Sequence, residues 1–185
     1  MTPLARTLAA HRFHPVIPPA LQFGTGLIVD LSPSSDIWKN VTNDHSFADE
    51  IVRQATAISA EIVIGRYAEQ RLIYQDKANF SDSKNRTVHM GIDLGVSALT
   101  PVFAPLDGIV HSIANHQGDG DYGPTIILRH QLEGITFFTL YGHLHQAAHA
   151  TLNVGDIITA GERFTAVGTT AENGGWAPSP ALTNH

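Results

Sequence analysis

No cysteine occurs in the 185 residues, which excludes disulfides, thiolate zinc sites and thiol nucleophiles. Basic residues are scarce. Eleven Lys and Arg against seventeen Asp and Glu give a net charge of −6, and the few cations are not clustered. That leaves no footprint for a phosphate backbone, so nucleic acid is not an expected partner. Long apolar runs are missing too, since none approaches the roughly 18 residues that a membrane span needs. The opening Met1 to Arg12 carries charge within it and has no continuous apolar centre, which makes a poor signal peptide. A cytoplasmic location without membrane attachment is the expectation.

What is present reads as a globular chain. Hydrophobic residues make up 43% and charged residues 15%, a composition that can bury a core rather than stay disordered. Eleven histidines equal the whole Lys and Arg count, so a histidine-based metal site has many candidates and many decoys.

Residues 1 to about 45 are rich in Pro, Ser, Asn and Asp around one apolar run, Gly26 to Leu31, which reads as a short buried strand between loops. Ser46 opens a capping-box pattern with Asp49 at N3. Phe47, Ile51, Val52, Ala55 and Ile58 follow at helical spacing, predicting an amphipathic helix over 47–59 whose role is packing. From Glu61 the pattern turns to strands. Ile62 to Ile64, Arg71 to Tyr74, Val102 to Ala104, Gly108 to Ala114, Thr125 to His130, Ile135 to Leu144 and Arg163 to Val167 are short β-prone runs bounded by Gly, Pro, Asn or Asp. Such spacing predicts a mainly β fold, an antiparallel sheet or sandwich forming an open groove, with one peripheral N-terminal α-helix. Gly118 to Gly123 has the composition of a calcium loop but not the ligand spacing or distal Glu of an EF-hand, and is read as a tight glycine turn.

Two histidine clusters stand out. His89 and Asp93 bracket Gly91. On a strand they share a face, but about 13 Å separates their Cα atoms at roughly 3.3 Å per residue. Zinc takes N and O ligands at about 2.0–2.2 Å. To act as a ligand pair they need a bend between them, and Gly91 allows one without a Cβ penalty. A structural pairing of the two is the plainer alternative. In the second cluster, alternation puts Tyr141, His143 and His145 on one strand face, with Leu140, Gly142 and Leu144 on the other. That face is either solvated or projects His143 toward a metal-bound water. His111, His116, His130 and His149 have no such company and are assigned to surface or structural hydrogen bonding.

The ordered set His89-x-Gly91-x-Asp93, Ala104 to Val110, Tyr122 to His130, Tyr141-Gly142-His143-Leu144, Val154-Gly155 and Gly161 resembles the lysostaphin-type zinc endopeptidases that cut peptidoglycan cross-bridges. The likeness runs from about Arg86 to Pro178. Gly65 to Tyr74 and Asn173 to Pro178 extend it toward the peptidase-type domain found between phosphotransferase-like and aminotransferase-like domains in large fusion proteins. That would place the chain in a larger multidomain assembly. It makes residues 1–64 an N-terminal extension and 65–185 the peptidase-like domain, truncated at its C-terminal end.

The resemblance implies one zinc ion held by His89 and Asp93, His143 as a catalytic histidine that orients water or stabilises an oxyanion, and a peptide or peptidoglycan-like substrate. The family closes its site with a His-x-His strand, whose first His assists catalysis and whose second completes the metal set. Here those positions read Ser179-Pro180-Ala181. Impaired zinc binding and activity are therefore expected, unless His145 or His185 stands in. Loss of that strand is expected to open a sheet edge to dimerisation. The competing reading is a non-catalytic binding or spacer module on the same scaffold.

Overall fold

The computed structural model describes residues 1–41, 44–71, 87–116 and 121–172, with side chains left undescribed at 44–46 and 149. Most of Arg71 to Tyr74, half of the Gly118 to Gly123 turn, the side chain of His149 and the Ser179–Ala181 positions lie outside the described residues. The chain divides into two compact units, one holding residues 23–97 and the other residues 1–22 and 98–172.

In the first unit, β1 (Gly26–Val29) and β2 (Ile62–Gly65) pair in parallel. The helix Asp44–Ala57 lies between them in sequence. Parallel neighbours need a crossover connection, and this N-terminal helix supplies it, making a βαβ unit. Its start also differs from the sequence expectation. The helix already includes Asp44 and His45, so Ser46 sits in its first turn and not at the N-cap position. At the other end, Ser59 takes a left-handed φ of 51°, Ala60 N donates to Ala55 O and Ser59 N to Thr56 O. This is the Schellman arrangement, which satisfies the last carbonyls and stops the helix. Phe47, Ile51 and Ala55 face a core with Val29, Leu31 and Val63, as their spacing predicts.

Two short pairs complete this unit. β3 (Glu69–Gln70) runs antiparallel to β4 (Val88–His89), setting Glu69 opposite His89. β5 (Asp93–Gly95) adds antiparallel to β2, setting Asp93 opposite Gly65. Every residue of the candidate metal pair is thus at a strand end.

The second unit is the larger antiparallel part. β6 (Pro101–Phe103), β7 (Gly108–His116), β8 (Gly123–Leu132), β9 (Ile135–Tyr141), β10 (Ile157–Ile158) and β11 (Arg163–Ala166) form a four-stranded sheet in the order β10-β7-β8-β9 and a two-stranded ribbon of β11 with β6. Val110, Ile126, Leu128, Ile158 and Phe164 fill its core. Ile126 and Leu128 are fully buried, because β8 is central in its sheet and its alternate side chains have neighbours on both sides. Helices Pro3–Ala10, Pro19–Gln22 and Ala147–Thr151 are additions that the apolar periodicity did not signal. The first is capped by Thr2, whose hydroxyl accepts from Ala5 N, with Pro3 at N1. The fold is mainly β, built of antiparallel sheets apart from the β1–β2 pair. Among the described residues, no helix is long and apolar enough to cross a membrane.

Candidate metal centre

β4 ends at His89, the chain bends at Gly91, and β5 begins at Asp93. The bend brings His89 Nε2 within 3.3 Å of Asp93 Oδ1. A Cβ at position 91 would stand 3.2 Å from His89 Nε2, so glycine here keeps the ring atom uncrowded. The other ring nitrogen, Nδ1, lies 3.0 Å from Arg66 O. A carbonyl only accepts, so Nδ1 carries the hydrogen, and in the neutral ring Nε2 is the atom with the lone pair. A lone pair facing a carboxylate oxygen needs a proton or a metal cation between them. Two ligand atoms of a tetrahedral zinc site with bonds near 2.1 Å are about 3.4 Å apart, so this donor pair fits such an ion.

Behind the pair is a chain of charges. Arg71 Nη2 is 2.7 Å from Asp93 Oδ2, and Arg71 Nε donates to Glu69 Oε2 at 3.0 Å. Arg71 and Glu69 are each buried, with side chains 4% exposed. Glu69 Oε1 also accepts from Leu31 N at 3.0 Å. Desolvation pushes the Asp93 carboxyl up, but the contact with His89 and the Arg71 charge outweigh it and hold its pKa below the ordinary value. Glu69 and Arg71 received no role from the sequence, because the residues that give them one, Leu31 and Asp93, are 38 positions upstream and 22 positions downstream.

Gly65 makes room for this cluster. A Cβ there would collide with Asp93 Oδ2 and stand 2.7 Å from Arg71 Nη2. Gly65→Ala is expected to cost roughly 1–3 kcal/mol by overpacking, read as a lowered denaturation midpoint. An unchanged midpoint would contradict the packing described.

His143 belongs to the other unit. The expected strand from Ile135 to Leu144 stops at Tyr141, so Tyr141, His143 and His145 do not share one strand face. The cause is local. His143 takes a left-handed φ of 56°, a conformation that costs a non-glycine residue on the order of 1–3 kcal/mol. Three backbone hydrogen bonds enforce it, His143 N to Tyr122 O at 2.6 Å, Leu144 N to Pro124 O at 3.0 Å and Gly168 N to His143 O at 2.8 Å. A Cβ at Gly168 would come within 2.6 Å of Leu144 O, so the approach depends on that glycine. Leu144 then bridges to Val167. Strain held this firmly is a reason to look for function at His143.

His145 is pinned nearby by a residue the sequence did not single out. Its Nδ1 pairs with Glu172 Oε1, which also accepts from Gln146 N at 2.7 Å, while Oε2 accepts from Thr169 Oγ1 at 3.0 Å. Burial pushes the Glu172 carboxyl up, but these partners outweigh it and hold its pKa below the ordinary 4.5. A depressed carboxylate pKa stabilises the fold above the unfolded value and loses that contribution as pH falls through the folded one. Glu172→Gln is therefore expected to cost about 1 kcal/mol near pH 7, with the difference from wild type shrinking in denaturant titrations taken below pH about 4.5. A cost independent of pH would contradict the ionised partner.

His130 is buried, with Nδ1 2.8 Å from Asp107 O and Nε2 2.8 Å from Thr139 Oγ1. It is a structural histidine, as its isolation in the sequence suggests. His111 packs its ring on Phe138 with centroids 4.8 Å apart. Among the described residues, no group of three or more His, Asp or Glu side chains is arranged to hold a metal ion.

Residues 87–182 match the model of peptidase family M23, which is more than half of the chain and includes His89, Asp93 and His143. The chain belongs to peptidase family M23. Over 82 residues it is 37% identical to a Haemophilus influenzae protein described as an uncharacterized metalloprotease. That stretch is 44% of this chain and 16% of the relative's length. The M23 match and this relative together imply a peptidase-type domain that works with a metal ion.

Proposed function

We propose that this M23 domain is a zinc-dependent peptidase domain acting on peptide bonds of the peptidoglycan cross-link class, with His89 and Asp93 as metal ligands and His143 as a catalytic histidine. The observation that carries the reading is the 3.3 Å approach of His89 Nε2 to Asp93 Oδ1 with Nδ1 committed to Arg66 O. Zinc, when bound, supplies Lewis acidity and activates water near neutral pH. The chain's own groups do the rest. With Nδ1 turned to Arg66 O, Nε2 is the nitrogen that His89 would present to the ion. Asp93 stays ionised, so no proton competes for its oxygen near pH 7. His143 orients the attacking water or stabilises the oxyanion forming at the scissile carbonyl, from a backbone that cannot relax without breaking three hydrogen bonds. We take the domain as 65–185, because Gly65, Glu69 and Arg71 all bear on Asp93.

Ser179 and Ala181, where M23 peptidases carry their His-x-His pair, favour weak metal binding and low activity in this chain. They also favour a second reading, a scaffold kept as a binding or spacer module. Hydrolysis of a peptidoglycan-type cross-bridge peptide separates the two. Under the first reading, Ser179→His with Ala181→His gives zinc-dependent cleavage that His143→Ala removes. A doubly substituted chain that binds zinc and cleaves nothing would favour the module.

A further inference from the structure

The charges behind Asp93 divide its carboxylate between two duties. Oδ1 faces His89 Nε2 at 3.3 Å, and Oδ2 faces Arg71 Nη2 at 2.7 Å. A carboxylate at a strand start with a side chain 47% exposed would otherwise rotate and share both oxygens with solvent. Arg71 is no loose surface cation. Its side chain is 4% exposed, and Glu69, equally buried, accepts from its Nε at 3.0 Å. Glu69 in turn accepts from the backbone of Leu31, a core residue. The glycine at 65 leaves the space in which the Arg71 and Asp93 heads meet. The assembly is one rigid line from the core to the carboxylate.

We infer that Arg71, held by Glu69, is a positioning residue that dedicates Asp93 Oδ1 to the metal ion and so sets both affinity and coordination at this site. The inference rests on the metal reading proposed above and adds two residues to it. Burying an arginine is costly unless it is paired, and two carboxylates face this one, Glu69 buried and Asp93 half-exposed. That arrangement suits orientation of the exposed partner. Outer groups that orient a ligand typically change metal affinity by about 10–100-fold when removed.

The test uses the full chain. Zinc affinity is measured by chelator competition, and Co²⁺ is added in parallel to record its d–d absorption. The double variant Glu69→Gln with Arg71→Met removes the cation without stranding a buried anion, and Arg71→Lys keeps the charge without the fork. The metal-free melting midpoint of each variant is measured alongside. The double variant is expected to lose at least about tenfold in zinc affinity and to shift the Co²⁺ bands, with Arg71→Lys recovering part of both. Unchanged affinity and unchanged bands in the folded double variant, or in Arg71→Lys should the double variant fail to fold, would overturn the inference. So would an affinity loss in the double variant that leaves the Co²⁺ bands as in wild type, because a purely structural defect does that. If the wild-type chain takes up no metal, the metal reading falls first and this inference with it.

Discussion

Ala181→His is expected to raise zinc affinity by more than about 100-fold, since even the loss of a group that only orients a ligand reaches that size and this change adds a nitrogen to bind the ion itself. Catalytic zinc sites normally use three protein ligands. In the proposed reading His89 and Asp93 are two, and the resemblance makes the second histidine of the His-x-His element the third. Position 181 is alanine here. A two-ligand site leaves most of the ion's coordination to water, and little of the binding energy goes into stabilising the fold. Isothermal titration on wild type, Ser179→His and Ala181→His discriminates sharply. The gain should belong to position 181, with Ser179→His near wild type because its counterpart assists catalysis. An Ala181→His chain that binds no more tightly than wild type would mean that another residue, such as His145 or His185, already fills the third place.

The second large effect is on stability. Glu69→Ala should destabilise the protein by about 3–5 kcal/mol, the range for removing one partner of a buried ion pair. Two losses combine. Arg71, with a side chain that is 4% exposed, loses its buried carboxylate partner, and Leu31 N, beside the core, loses its acceptor. Glu69→Gln retains hydrogen-bonding atoms at both places and should cost less. Guanidinium unfolding followed by tryptophan fluorescence reads this directly, since Trp38 stacks on Phe47 in the same unit. A shift worth less than about 1 kcal/mol would place Glu69 among surface pairs, whose worth is of that order, and would remove the rigid line on which the Asp93 argument depends.

Local signals in the sequence carried much of this fold. The β-prone runs that became β7, β8 and β11 lie where the sequence places them; β7 and β11 begin at the expected Gly108 and Arg163, while β8 runs two residues past the expected run at each end. The bend at Gly91 followed from ligand distances alone, because an unbent strand cannot bring His89 to Asp93. Long-range pairing was not legible. Nothing in the period of Gly26 to Leu31 says that it lies parallel to Ile62 to Gly65, since pairing direction is set by the helix that connects them. The exit of β9 misled for a related reason. Alternation was carried through Gly142 to His145, yet the hydrogen bonds from Tyr122, Pro124 and Gly168 that turn His143 come from residues 19 to 25 positions away. Glu69 and Arg71 were visible as letters but not as partners, because a buried charge is indistinguishable from a solvated one until its counter-ion is known. Glu172 is the same case, paired with a histidine 27 residues back.

Zinc binding to the purified chain decides whether His89 and Asp93 hold a metal ion. Stoichiometry and affinity are measured for wild type, His89→Ala and Asp93→Ala. One zinc per chain is expected, weak in wild type and lost in both variants. Zinc bound equally by all three, or by none, would contradict it.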